Sequence, residues 1–266
     1  MRSLLLLLPL LLPLALAGPA QARRRLGSRE RALTLLSRAP RRSAWKHVRW
    51  CDVRDRALEL IKNPDALDQA SLHLCGGACV LNGVARRDPL RFAKLVRDIF
   101  ERGHVGRRRV SKRLLDAEPG GAKTFDWMLL SALRNAYGRP RFAGQSGFRV
   151  SAINLPSDVK RWAVEIAGAR SLRSYRSYLR SGTRHIGRIN RALGRGDEVY
   201  ALMHMKGIRN TQGHDLHWVR LLSPIEPAGA AGVTFRIFDR GKALRARLSR
   251  EELGANLLHT IVAEMN

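Results

Sequence analysis

The chain has 266 residues and a mass of 29.9 kDa, with 49 basic against 22 acidic side chains and a formal charge of +27. Of the basic residues 41 are arginine and 8 lysine, while apolar residues make up 45% and aromatics 6%. That balance excludes a disordered tail and a collagen-like repeat, and the length suits one large domain, or one with a satellite, around a real core. Three cysteines are too few for a disulfide scaffold.

In chain order, Met1-Arg2 is a short positive start, Ser3 to Ala17 is a leucine-rich apolar run broken by Pro9 and Pro13, and Ala20-Gln21-Ala22 offers an A-x-A cleavage site. The run is shorter than the roughly 20 residues needed to span a bilayer. The expectation is a cleaved secretory signal over 1–22, export to the periplasm or beyond after cleavage near Ala22, and no stable transmembrane segment. Arg23-Arg24-Arg25 follow at once and oppose translocation, so the competing reading is an uncleaved anchor. Residues 23–50 are arginine-rich with little periodicity and read as a loosely attached arm containing Trp45 and Trp50, open to a propeptide role.

Asp52 to Lys62 reads as a helix with Val53, Ala57, Leu58, Leu60 and Ile61 inward, ended by Asn63-Pro64. A second helix begins near Cys75 and runs through Ala78, Val80, Leu81 and Val84. Asp88-Pro89 fits the N-cap and first position of a third, which ends near Gly103. A further helix covers Lys123 to Asn135. Pro156 to Gly194 reads as helical with breaks at Gly168, Gly182 and Gly187. Asp197 to Lys206, Leu216 to Ile225 and Val233 to Phe238 are expected strands, with Gly229-Ala230-Ala231-Gly232 turning the second into the third. Helices first and strands later predict an α+β fold. There is no internal repeat, no GxxxxGK[ST] phosphate loop, no H-E-x-x-H helix and no paired C-x-x-C box. No cofactor and no metal are expected.

One constellation carries chemistry. Gln69 lies six positions before Cys75, which opens Cys75-Gly76-Gly77-Ala78-Cys79 at the expected helix start. A cysteine nucleophile acts as thiolate, and a helix N-terminus lowers its pKa through the dipole and unpaired amides. Those amides can donate to an oxyanion, and a glutamine amide completes such a hole. Gly76, Gly77 and Ala78 are small enough to let a substrate backbone approach the sulfur. The base must be a histidine, itself oriented by a third group. His217 begins one expected strand and Asp239 ends the next, and the midpoint of the two falls at 228, inside the loop from Glu226 to Gly232. Positions symmetric about an antiparallel turn lie opposite one another, which sets these two within about two residues of direct opposition.

A Gln, six positions, CGxA, then a late His-Trp strand and an Asp on the following strand: this pattern resembles the papain-like cysteine peptidase superfamily, and within it the bacterial peptidases that clip double-glycine leaders from bacteriocins. The resemblance implies a papain-like fold, with an N-terminal helical part carrying the Cys helix packed on a C-terminal antiparallel sheet. It also implies Cys75 as nucleophile, His217 as base, Asp239 as orienter and Gln69 as oxyanion donor, with Gly76, Gly77 and Trp218 at the substrate. Papain itself has Trp or Tyr after its cysteine, where this chain has Gly76. The leader peptidases usually follow the orienting Asp with Pro, where this chain has Arg240. Asp68-Gln69 to Pro89, Asp126 to Arg134 and His217-Trp218-Val219 also resemble bacterial papain-like proteins linked to secreted effectors, over residues 68–240.

Other readings stay open beside this one. Cys75 and Cys79 also suit small core positions, and Cys79, one turn inward, reads as core. Cys51 is expected either to pair with Cys79 or to stay free. His217 also suits a structural histidine, His214-x-x-His217 with Cys75 a zinc site lacking a fourth ligand, Asp215 a rival orienter, and Asp239 an arginine partner.

Arg170, Arg173, Arg176, Arg180, Arg184, Arg188, Arg191 and Arg195 recur at spacings of three and four, and no acidic residue occurs between Glu165 and Asp197. On continuous helix they form one cationic face, and with breaks at Gly182 and Gly187 two, interleaved by Tyr175 and Tyr178; the competing reading is a solvated face in an arginine-favouring composition. Outside the cytoplasm its partner would be an anionic envelope polymer or acidic peptide rather than nucleic acid. The preferred function is an exported papain-like cysteine hydrolase occupying 51–266 and acting on a protein, leader peptide or peptidoglycan peptide. The alternative is a non-catalytic basic module binding an anionic polymer or protein partner.

Overall fold

A computed structural model describes residues 19–120, 122–138, 142–145, 152–177, 182–208 and 215–265. The fold is α+β, with helices in the N-terminal half and a curled antiparallel sheet in the C-terminal part. The helical layer holds α1 (Pro19–Ser37), α2 (Trp50–Lys62), α3 (Cys75–Arg87), α4 (Pro89–Arg102), the short α5 (Lys112–Leu115), α6 (Thr124–Tyr137) and α7 (Pro156–Glu165). A small hairpin, β1 (His104–Val105) and β2 (Arg108–Arg109), comes after α4. The expected α4 is matched at both ends. Asp88 accepts from the Arg91 amide at 3.0 Å, Pro89 fills the first turn, and Gly103 closes the helix with φ 64°.

The sheet runs β3 (Ser171–Arg176), β9 (Leu257–Glu264), β4 (Glu198–His204), β5 (Leu216–Leu221), β7 (Gly232–Asp239), every pair antiparallel. Beyond β5, the short β6 (Glu226–Ala228) pairs with the start of β7, and β8 (Lys242–Ser249) pairs along its whole length. Strand alternation divides the core in two. Tyr200, Leu202, Trp218, Phe238 and Ile261 turn toward the helical layer, against α3, α6 and α7. Val199, Ala201, Val219, Ile237 and Val262 turn the other way, beneath α8 (Ile186–Gly194) and α9 (Arg250–Asn256).

Two expectations are corrected. Within 23–50, the part whose side chains are described is packed rather than loosely attached. Ala32 and Leu36, one turn apart on α1, are fully buried, Trp45 is buried and donates its indole N–H to Ile99 O at 2.9 Å, and Trp50 packs against Phe100 in a tilted pair with ring centroids 5.1 Å apart. Arg97 of α4 reaches the carbonyls of Leu35 and Arg38 at 3.0 and 2.7 Å, placing a cation at the C-terminal end of α1, where it offsets the helix dipole. A stripe of two core positions among many arginines is too narrow to register as periodicity. The second correction is in 156–194. The chain does break at Gly168 (φ 80°), but the next element is β3, an edge strand completed by β9. Helix resumes only at Ile186, after a single 3₁₀ turn (Gly182–His185), and Gly187 lies inside it. The apolar run Ser3 to Ala17 lies outside the described residues, and among those described no helix is long and apolar enough to cross a membrane.

Candidate active site

Cys75 is the first residue of α3, and Leu74 at the cap offers no side-chain acceptor. The orphan amides of the first turn are met from elsewhere in the chain. Asn154 Oδ1 accepts from Gly76 N at 2.9 Å and from Gly77 N at 3.3 Å. Asn154 is itself fixed by donating to Ala152 O at 2.8 Å, while its carbonyl accepts from the Trp218 indole at 2.9 Å. The glycines are explained by packing. A Cβ at residue 76 would stand 2.8 Å from Val159 Cγ2, and one at 77 would stand 3.3 Å from Leu133 Cδ2. Gly76, Gly77 and Trp218, expected at the substrate, are buried in this joint between α3, α6, α7 and β5. A papain-type Trp or Tyr at 76 has no room. Replacing Asn154 with Ala strips the cap from α3 and is expected to cost about 1–2 kcal/mol, read as a lower midpoint in urea unfolding.

His217 and Asp239 are both buried on the sheet, and His217 Nε2 lies 3.0 Å from Asp239 Oδ1. The Asp239 carboxylate both hydrogen-bonds the ring and favours its charge. Register explains their meeting. Arg220 faces Phe238 and Leu221 faces Ile237, so one further step sets Asp239 across from Val219, two residues from His217 on the same strand. That is a diagonal same-face pair. Burial alone would raise the Cys75 thiol, but the His217 charge and hydrogen bond, with backbone donation from Trp218 and Gly76, bring its pKa below the ordinary value. Burial likewise opposes charge on His217, yet Cys75 and Asp239 together raise it to about 9. The two shifts describe a thiolate–imidazolium pair backed by a carboxylate.

Asp239 sits at the head of a two-residue turn into β8, where it pairs with Lys242. Arg240 has φ 42° and Gly241 φ 76°. Proline fixes φ near −65°, so the Asp-Pro of the leader peptidases cannot be accommodated by this turn. Gly241 also lets the turn press on the loop ahead of Cys75, for a Cβ there would meet Asp68 Cβ at 3.2 Å. Arg240 pairs with Asp215, the rival orienter, at 3.3 Å.

That loop carries Gln69, which is buried, with an Oε1 lacking a hydrogen-bond partner among the described residues. Its neighbours Ala70 and His73 hold φ of 45° and 55°, a conformation that non-glycine residues adopt at a cost. A buried ion pair anchors the loop. Asp126 of α6 takes Arg56 of α2 at 3.1 and 2.8 Å and accepts from the Asp68 amide at 3.1 Å, while Arg56 donates to Ala66 O at 2.5 Å. Burial pushes the Asp126 carboxyl up, and Arg56 opposes that shift.

Cys79 is buried under Cys75 and donates its thiol to Trp218 O at 3.3 Å; burial pushes its pKa well up. Cys51 is exposed, and all three cysteines are free. His214 of the zinc reading lies outside the described residues, and among those described no group of three His, Cys, Asp or Glu side chains could hold a metal ion. Asn154 and the Arg56–Asp126 anchor were missed in the sequence, because each acts across 70 or more residues and carries no local pattern. No protein-family model matches the chain, and a search of the curated proteins finds no match.

Proposed function

We propose that the chain is an exported papain-like cysteine hydrolase that cleaves a peptide or amide bond. The observation that carries this reading is the clustering of Cys75, His217 and Asp239 at a helix N-terminus, with the thiol pKa lowered and the imidazole raised to about 9. The Cys75 thiolate attacks the substrate carbonyl and forms a C–S bond. The oxyanion is held by the Cys75 amide and by Gln69, while the amides of Gly76 and Gly77 donate to Asn154 and that of Gly76 also to the sulfur. His217 gives its proton to the departing amine as the C–N bond breaks, then takes one from the water that releases the acyl group. Asp239 keeps the imidazole charged and turned toward the sulfur. The substrate is a protein, a leader peptide or a peptidoglycan peptide, met outside the cytoplasm after removal of residues 1–22.

The test is incubation of the mature chain with proteome-derived peptides, read by mass spectrometry. Cleavage should vanish in Cys75→Ala with the fold retained, and persist in Cys79→Ala, which loses stability by leaving a small void. Cleavage that survives in Cys75→Ala refutes the reading.

A further inference from the structure

The arginine series reads in sequence as one helical face, or as two with breaks at Gly182 and Gly187; Arg180 lies outside the described residues, and four of the others, Arg173, Arg188, Arg191 and Arg195, stand on a strand and a helix that form two walls. On β3, alternation turns Arg173 and Tyr175 to the side where Val262 of β9 lies, and Arg173 is directly opposite Val262. On α8, Arg188 and Arg191 share an exposed stripe that continues to Arg195 at the C-cap, while Ile189 and Ala192 anchor the other side in the core. Between the walls runs a groove of about 310 Å³ lined by Arg173, Tyr175, Arg188, Arg191, Arg195 and the apolar floor Ala192 and Val262.

Its charge is only partly compensated. Arg173 pairs with Glu264 at 2.9 Å and Arg195 with Asp197 at 2.7 Å. Arg188 and Arg191 have no carboxylate partner among the described residues, and the sequence from 166 to 196 contains no acid that could supply one. Four guanidinium groups thus enclose a small space against two carboxylates, each already holding one arginine.

We propose that this groove is a binding site for a phosphate group, separate from the Cys75 centre and independent of its chemistry. Each carboxylate here holds one arginine through one oxygen and a second donor through the other: Glu264 takes Arg173 and the Ser171 hydroxyl, and Asp197 takes Arg195 and the Met265 amide. A tetrahedral phosphate presents oxygens in several directions at once and carries up to two charges, which suits arginines converging from opposite walls. The groove is not a base-stacking platform. The ring of Tyr175 is stacked on His185 at 4.7 Å and approached by Arg188 at 5.7 Å, so its surface is already engaged. His185, lowered by burial and by Arg184 and Arg188, adds a neutral ring rather than another charge.

Isothermal titration of the mature chain with inorganic pyrophosphate, at fixed salt, tests the site. Arg188→Gln/Arg191→Gln should weaken binding about tenfold or more. Arg107→Gln/Arg113→Gln, which removes the same charge from exposed positions on the helical layer, should leave binding within about twofold. Both variants alter exposed side chains, and an unchanged melting temperature will verify folding. Citrate should bind the wild type more weakly than pyrophosphate. A long-chain polyphosphate arm separates the sources. Tighter binding per chain points to a phosphate polymer, and equal binding to a small phosphate. Equal weakening by the two double variants, or citrate binding as tightly as pyrophosphate, overturns the proposal, since either would mean diffuse attraction to a basic surface.

Discussion

Alkylation of Cys75 is expected to remain fast well below pH 7 in the wild type and to slow about 100-fold at pH 6 in His217→Ala, because the uncompensated thiol of that variant is almost wholly protonated there. The shift rests on three partners of the sulfur: the buried imidazolium, the Trp218 amide and the Gly76 amide. Removing His217 deletes the charge and leaves the two amides alone to oppose burial, the largest single influence on this thiol. Asp239→Ala should act in the same direction but less strongly, since it lowers the charged fraction of His217 without removing the ring. The sign for turnover comes from both groups. Activity rises with pH as Cys75 loses its proton and falls above about 9 as His217 loses the proton it must give to the leaving amine. Mass-resolved labelling separates Cys75 from exposed Cys51 in the same sample. A Cys75 labelling profile unchanged by His217→Ala would show that the histidine does not activate the thiol.

Glu198→Ala is expected to destabilise the protein by about 3–5 kcal/mol, the usual result of leaving a buried partner charge uncompensated. Glu198 on β4 and Arg220 on β5 form a buried ion pair, with Nη2 to Oε1 at 2.9 Å and a second contact through Nε. Arg220 also donates to Asn82 of α3 at 3.1 Å. Gly83 of the same helix lies against this pair, where a Cβ would stand 3.2 Å from Glu198 Oε2. The cluster therefore seats the Cys75 helix on the sheet. At this chain size the loss corresponds to a fall in melting temperature of roughly 10 °C. Glu198→Leu combined with Arg220→Met should recover most of it, because apolar residues of similar volume do not leave an unpaired charge. The pH dependence has a definite sign. Arg220 holds the Glu198 pKa below its usual 4.5, so its contribution is present above that value and is lost as pH falls through the lower folded one. Acid unfolding followed by circular dichroism should be less steep in the double variant.

How much was legible in the sequence depended on the distance over which each residue acts. The Cys75 helix announced itself locally, through a cysteine followed by two glycines ahead of an apolar run. The meeting of His217 and Asp239 came from hairpin arithmetic, with a diagonal offset because the β5–β7 ladder is centred on residue 229 rather than 228. The cap from Asn154 and the anchor of Arg56 on Asp126 join segments remote in the chain, and single-sequence patterns do not encode such pairs. β3 was misread for a different reason. Arginines at spacings of three and four mimic a helix face, while the ladder that makes Ser171–Arg176 a strand comes from β9, about ninety residues later. The Ser249/Glu252 capping box at the start of α9, by contrast, is local and legible in the sequence.

The packing of a helical layer on a sheet has a consequence for where reactivity can exist. The sulfur belongs to the helical layer, and the imidazole and carboxylate belong to the sheet, joined across the α3–β5 contact. A chain that is unfolded or newly made therefore carries a dormant thiol, and the lowered pKa arises only when the layers dock. Titration of Cys75 with a limiting electrophile at pH 6 would count correctly assembled molecules in a preparation, giving a measure of layer docking that does not depend on knowing any substrate.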